Sequence, residues 1–200
     1  MPRTRLPLTA ALTLAALAAL TGCSGDPAPQ PSKAPASAAA PEAPAPTDTA
    51  TASAQPPTHV SIPSLGVDSD IMRLGLNPDR TVEVPPADKG MTTGWYTGSA
   101  VPGEPGAAVL IGHNDTRFGR AVFHDLRKIA KGADIVVRDG RGKDVHFEVT
   151  ALETVSKHAF PTARVYGRTT ERALRLITCD GAFDAAGHPV DNLIVYAKRK

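Results

Sequence analysis

Two side chains in this sequence combine reactive chemistry with a place at the end of an apolar run. Cys179 closes LRLITC (174–179), and Asp180-Gly181 begins a turn directly after it. His113 closes AAVLIGH (107–113) and is followed by Asn114-Asp115. A thiol attacks as thiolate, and a free cysteine with a pKa of about 8.5 is only a few per cent ionised at neutral pH. A nucleophilic Cys179 therefore needs a base or cation beside it. Two strands that end side by side at the mouth of a barrel would bring cysteine and histidine together on a rigid scaffold while keeping both reachable. The plainer alternatives are core filler for Cys179 and a loop histidine without a task for His113. The other five of the six histidines read as surface or structural. His59 borders an N-terminal tether, His124 lies on a short helical stretch, His146 alternates along a strand, and His158 and His188 lie in loops.

Other chemistries find no support. Neither Cys-x-x-Cys, His-Glu-x-x-His nor an acidic loop with regular ligand spacing is present, so no metal is expected. No glycine-rich phosphate loop follows a strand, and Gly-x-Ser-x-Gly is absent, which leaves no cofactor or serine-hydrolase reading. A net charge of +2 and 4% aromatic residues argue against a nucleic-acid partner.

The N-terminus bears on Cys179. Arg3 and Arg5 precede an apolar stretch, LPLTAALTLAALAAL (6–20), which is short of the roughly 20 residues of a membrane span and suits a signal peptide. It runs into Leu20-Thr21-Gly22-Cys23, which resembles a bacterial lipobox. That resemblance implies cleavage before Cys23 and lipid on its thiol, placing the mature chain at the extracytoplasmic face of the membrane. Several acyl chains, at about 0.8 kcal/mol per buried CH₂, would hold it there. An uncleaved anchor with an incidental Cys23 is the alternative. The chain holds two cysteines, and exported proteins use theirs mostly in pairs. If Cys23 is lipidated, Cys179 is left as a reactive thiol or one end of an intermolecular bridge; a Cys23–Cys179 disulfide is the remaining option.

The 19 prolines and 17 glycines are unevenly spread and divide the chain. Residues 1–22 read as the signal. Residues 23–58, rich in Ala, Pro, Ser and Thr, lack large apolar side chains and read as a disordered, semi-stiff tether. Residues 59–200 read as the folded domain. Its pattern is about eight short β-type runs between Gly/Pro turns, which points to an all-β barrel or sandwich. The runs are 59–62, 70–76, 81–84, 107–113, 133–140, 142–155, 172–179 and 191–197. The fifth and sixth form a hairpin across Asp139 to Gly142. AVFHDLRKIA (121–130) spaces Val122, Leu126 and Ile129 at helical intervals and predicts a short helix.

The stretches VSIPSLGVDSDIMRLGLNPDRTVEVPP (60–86), TGWYTGSAVPGEPGAAVLIGHND (93–115), FPTARVYG (160–167) and LRLITCDGAFD (174–184) resemble class F sortases of actinobacteria. The similarity extends over about 59–197. It implies a closed eight-stranded sortase-type β-barrel with one or two short helices, and a membrane-anchored cysteine transpeptidase. Such enzymes cut a Leu-Pro-x-Thr-Gly-type sorting signal on a surface protein between Thr and Gly. They hold the Thr carbonyl as a thioacyl enzyme and pass it to an amine, often on cell-wall precursor, without a cofactor. By position, Cys179 matches the nucleophile, His113 the group that protonates the leaving amine, and Thr178 the substrate-binding hydroxyl before the cysteine.

The same resemblance implies an arginine just before Asp-Asn-(apolar)-(apolar)-Val, where this chain has Val190. Losing one oxyanion donor costs about 10²–10³ in rate in other enzymes. Substitutes within the sequence are Arg175 on the cysteine's own strand face, Arg164 and Arg168 in the preceding loop, Asn192, and His188. Three readings follow: a transpeptidase with a substitute donor, a hydrolase in which water replaces the amine, and a catalytically weak or inactive sortase-fold module that binds sorting signals or wall peptides.

Overall fold

The computed structural model describes residues 55–185 and 187–200. The expectations for the signal at 1–22, the lipidation of Cys23 and most of the tether lie outside these residues. Ten strands and one helix form: β1 Pro57–Ile62, β2 Val67–Leu74, β3 Thr93–Tyr96, β4 Gly106–Ile111, β5 Asp115–Thr116, β6 Gly119–Arg120, β7 Asp134–Asp139, β8 Asp144–Ser156, α1 Thr162–Tyr166, β9 Arg172–Phe183 and β10 Pro189–Arg199. Eight of the strands close a barrel in the order β1-β2-β3-β4-β9-β10-β8-β7, and β5 and β6 form a separate two-stranded ribbon. The expected closed eight-stranded all-β barrel is what the chain forms. Among the described residues no helix is long and apolar enough to cross a membrane.

Side chains alternate across the strands, and both faces of the central strands are buried. Ala108 and Leu110 of β4, Leu174 and Leu176 of β9, and Leu193 and Val195 of β10 fill the main core with Phe123, Leu126 and Phe147. Their neighbours Val109, Ile111, Ile177, Ile194 and Tyr196 form a second cluster with Val165 of α1, against which Phe160 and Tyr166 pack. Each large aliphatic or aromatic side chain fully buried in this way contributes about 1.5–3 kcal/mol. The double burial explains why β4, β9 and β10 read as continuous apolar runs.

The structure departs from the sequence reading at three elements. Residues 121–130 form turns with a single 3₁₀ turn at Leu126–Lys128 instead of a helix. The N–H groups of Ala121, Val122 and Phe123 donate to the carbonyls of Asn114, Gly90 and His113. Those tertiary bonds fix the path of the segment, and Val122, Phe123, Leu126 and Ile129 drop into the core from an irregular backbone. Residues 81–84 are not a barrel strand. They fold back on their own arm through one Leu76–Val82 bridge, and Pro85 and Pro86 then remove two ladder donors. The missed barrel strand is β3, only four residues long, which lies parallel to β2 and antiparallel to β4; the two-residue strands β5 and β6 also lie outside the expected runs.

Candidate active site

Three adjacent strands bring side chains to one mouth of the barrel, and β9 runs on past Cys179 to Phe183, so Asp180-Gly181 continues the strand instead of beginning the turn its sequence suggests. β4 and β9 run parallel, with Ile111 beside Ile177, and the Gly112 N–H donates to the Ile177 carbonyl at 3.1 Å. His113 and Cys179 each follow two residues further on, His113 just past the end of β4 and Cys179 within β9. Across the other edge of β9, Cys179 is the direct partner of Asn192 on β10. His113, Cys179 and Asn192 thus form a row across three strands spaced about 4.8 Å apart. All three line one cavity of about 820 Å³, together with Thr178. Cys179 is a free, half-buried thiol.

The cavity is mostly apolar. Leu76, Val82 and Val84 come from the arm between β2 and β3, Ile111 and Ile177 from the floor, and Phe160 and Tyr166 from the segment around α1. Tyr166 stands edge-on to Tyr96 at 5.9 Å and lies 6.0 Å from Phe160, an aromatic wall suited to an apolar peptide segment. Burial pushes the Tyr166 phenol up from its ordinary pKa. Arg80 and Lys157 also line the cavity, and neither carries a local sequence signal of doing so. Both come from turns, where only the tertiary fold shows which way a side chain faces.

His113 is held from the arm. Its Nε2 lies 2.6 Å from the Pro85 carbonyl oxygen. A carbonyl only accepts, so Nε2 carries the proton and a neutral ring leaves Nδ1 as the basic nitrogen. Pro86 follows, so the carbonyl belongs to a stiff Pro-Pro unit. Gly112 has no room for a side chain, because a Cβ there would meet Phe123 at 2.6 Å and Val122 at 2.7 Å. The histidine is thus set by packing behind it and a hydrogen bond in front.

Asp180, the residue after Cys179, is buried and accepts hydrogen bonds from Arg127 and, at 2.9 Å, from the Thr154 hydroxyl. Burial opposes its charge, but the Arg127 guanidinium, the Gly181 N–H and the Thr154 hydroxyl hold the carboxyl below the usual aspartate range. These bonds pin β9 directly after Cys179. Thr178 is buried too, and its Oγ1 has no hydrogen-bond partner among the described residues.

The remaining candidates are placed elsewhere. Val190 is exposed at a register irregularity of β10 between Pro189 and Asp191 and does not line the cavity; the residue facing Cys179 is Asn192. Arg175 donates to the Leu174 and Ala197 carbonyls and stacks on Tyr196 at 4.8 Å, and burial pulls its pKa below the ordinary value. Arg164 pairs with Glu153 at 2.6 Å. Arg168 lines a neighbouring groove with Thr169 and Thr170. His188 lies beside Asp184 at 3.8 Å. His59 bonds Asp68 at 2.6 Å, His124 bonds Asp115 at 2.8 Å and His146 bonds Asp134 at 2.9 Å. His158 sits in a 3₁₀ turn after β8. Among the described residues no group of His, Cys, Asp and Glu side chains could hold a metal ion.

A row of thiol, imidazole and amide beside a peptide-sized cavity fits acyl transfer. A sortase-domain family model matches residues 60–200. Among solved structures, the fold is similar to sortase A from Corynebacterium diphtheriae, at 22% identity and a TM-score of 0.57 over 73% of this chain and 61% of that one. The chain therefore spans about three fifths of that relative. Similar likenesses hold for sortase C2 of Group B Streptococcus pilus island 1 (24%, TM-score 0.55, 72% and 73%) and sortase C-1 from Actinomyces oris (23%, TM-score 0.56, 72% and 71%). Comparison with curated protein sequences yields no match. The family match over most of the chain and the closed barrel agree that this protein belongs to the sortases, a family of cysteine transpeptidases acting on sorting-signal-bearing proteins and amine acceptors.

Proposed function

We propose that this chain is a class F-type sortase that cleaves a Leu-Pro-x-Thr-Gly-type signal between Thr and Gly and transfers the acyl group to an amine. The observation that carries this reading is the row His113–Cys179–Asn192 lining one largely apolar cavity. His113 Nδ1 takes the proton of the Cys179 thiol, the thiolate attacks the Thr carbonyl carbon, and the carbonyl oxygen becomes an oxyanion. The Asn192 amide, across the ladder from the cysteine, donates a hydrogen bond to that oxygen and takes the place an arginine would otherwise fill. As the tetrahedral centre collapses, the Thr–Gly C–N bond breaks and His113 passes a proton to the departing amine. The thioacyl enzyme remains. An acceptor amine then attacks, gives its proton to His113 and expels the Cys179 thiolate, a two-step ping-pong course. Through its hydrogen bond to Pro85, His113 keeps one nitrogen fixed and the other available for both transfers. Thr178, the position matched to a substrate-binding hydroxyl, lines the same cavity, with its Oγ1 buried beneath the surface.

The purified protein, incubated with a Leu-Pro-x-Thr-Gly peptide and an amine, should release the Gly-containing fragment. It should also show a thioacyl adduct on Cys179 by mass spectrometry, and Cys179→Ala should abolish both. No cleavage and no adduct would refute the transpeptidase reading. The weaker alternative, a module that binds signals without turnover, is favoured by Val190 standing, exposed and outside the cavity, where the family resemblance implies an arginine. Binding without any adduct would select it. We also propose lipid attachment at Cys23 and an extracytoplasmic place at the membrane, on the lipobox sequence alone. Labelled palmitate should enter the wild type and not Cys23→Ser, and equal labelling would sink that part.

A further inference from the structure

The cavity beside Cys179 carries an uneven charge. Arg80 and Lys157 line it, and no aspartate or glutamate does. Arg80 sits in an unusual place. It is the only non-glycine residue with positive φ among the described residues, at 68°. This backbone region is one that side chains other than Gly, Asn and Asp rarely adopt. The arm here is a tight hairpin in which the Arg80 N–H donates to the Asn77 carbonyl at 2.8 Å and the Asn77 N–H to the Thr81 carbonyl at 2.8 Å. Glycine is the usual occupant of the left-handed position in such a turn. A large cation kept there, over a groove, points to use.

Neither cation is neutralised. Arg80 and Lys157 have no ion pair or side-chain hydrogen bond within the described residues. The two acids of the same arm are turned onto the chain itself. Asp79 accepts from the Thr81 N–H at 3.0 Å and its hydroxyl at 2.7 Å, which holds its pKa below the ordinary value. Glu83 accepts from the Gly75 N–H at 2.6 Å. A groove lined by one sign of charge draws ligands of the other.

We infer that this site selects sorting signals with an acidic residue at the variable position, Leu-Pro-(Glu/Asp)-Thr-Gly, with Arg80 and Lys157 as the specificity residues. The inference rests on the sorting-signal reading above. In that motif Leu, Pro, Thr and Gly are neutral, so only the variable position can answer the two cations. The arm also supplies the Pro85 carbonyl that holds His113, so a signal drawn against Arg80 would press on the segment that sets the histidine.

The test uses three peptides that differ only in Glu, Gln or Lys at the variable position. Their affinities are measured by fluorescence anisotropy on the Cys179→Ala protein, which needs no turnover, and their kcat/KM on wild type. Exposed charge pairs are worth about two- to fivefold each. Glu should therefore exceed Gln by about that factor per cation, and Lys should fall below Gln. The order should flatten at high salt. Arg80→Asn suits the left-handed turn, and with Lys157→Ala it should level the three peptides, whereas Arg80→Lys should retain the order. Equal binding of the three peptides by the wild-type cavity overturns the inference, as does a Glu preference that survives the double variant. Glu-selective binding without cleavage upholds the inference while failing the transpeptidase reading; cleavage without charge preference does the reverse. Binding of none of the peptides overturns both.

Discussion

Replacing Asn192 by alanine removes one donor from the proposed oxyanion site and leaves the thiol and histidine in place. Cys179 and Asn192 are direct partners on antiparallel β9 and β10, so their Cβ atoms stand about 4.5–5.5 Å apart. A carboxamide on one and a tetrahedral carbon bonded to the sulfur of the other bring an N–H within reach of the 2.7–3.1 Å an oxyanion donor needs. Removing a single such donor costs about 10²–10³ in kcat, or about 2.7–4 kcal/mol. Asn192 is half-buried, and solvent shares the stabilisation, so a loss near 10² is expected. The interaction forms only in the transition state, so kcat and kcat/KM should fall together with KM nearly unchanged. Single-turnover stopped flow with a quenched fluorescent peptide isolates the acylation step. Asn192→Asp should lose more, because a carboxylate there repels the oxyanion and disfavours the neighbouring thiolate. A melting temperature close to wild type for both variants shows that chemistry and not folding is read. An Asn192→Ala acylation rate within threefold of wild type would refute the assignment.

Further outcomes follow from the same geometry. Val190→Arg restores an arginine at the position the family resemblance indicates, but this residue is exposed at a bulge; turnover within about twofold of wild type is expected, and a large gain would show that β10 re-registers. Gly112→Ala drives a Cβ against Phe123 and Val122, costing about 1–3 kcal/mol of overpacking; thermal melts should fall by at least about 3 °C, and displacement of His113 should lower activity further. Arg127→Ala strips a partner from buried Asp180. The Arg127 side chain is 68% exposed, so solvent screening limits the loss to roughly 1 kcal/mol at pH 7. Asp180 has a depressed folded pKa, so its stabilisation is present above the unfolded aspartate value of about 3.9 and is lost as pH falls through the folded value. The gap between wild type and variant in urea melts should accordingly narrow as pH falls below the unfolded aspartate value of about 3.9, and a gap that stays constant or widens with acidification would contradict this account.

Much of the fold was legible because its signals are local. Continuous apolar runs marked β4, β9 and β10, alternation marked β7 and β8, and the Asp139–Gly142 turn joined them. The thiol and the imidazole stood out because each ends such a run. Other elements depend on partners far away in sequence. TGWY is a strand because β2 and β4 flank it, while the start of 121–130 is tied to carbonyls on other segments and the rest closes into i→i−3 turns. The residue facing Cys179 was equally hidden. Motif spacing drew attention to Val190, but a bulge near the start of β10 shifts the register and brings Asn192 opposite the sulfur. Arg80 enters the cavity through a left-handed turn that no local rule assigns to arginine. By itself, then, the sequence determined which side chains could react and the strands that carry them, since propensity and periodicity act over neighbouring residues. Which groups stand beside those side chains, and what charge the cavity presents, was decided only by strand register and turn geometry, which depend on pairings between distant parts of the chain.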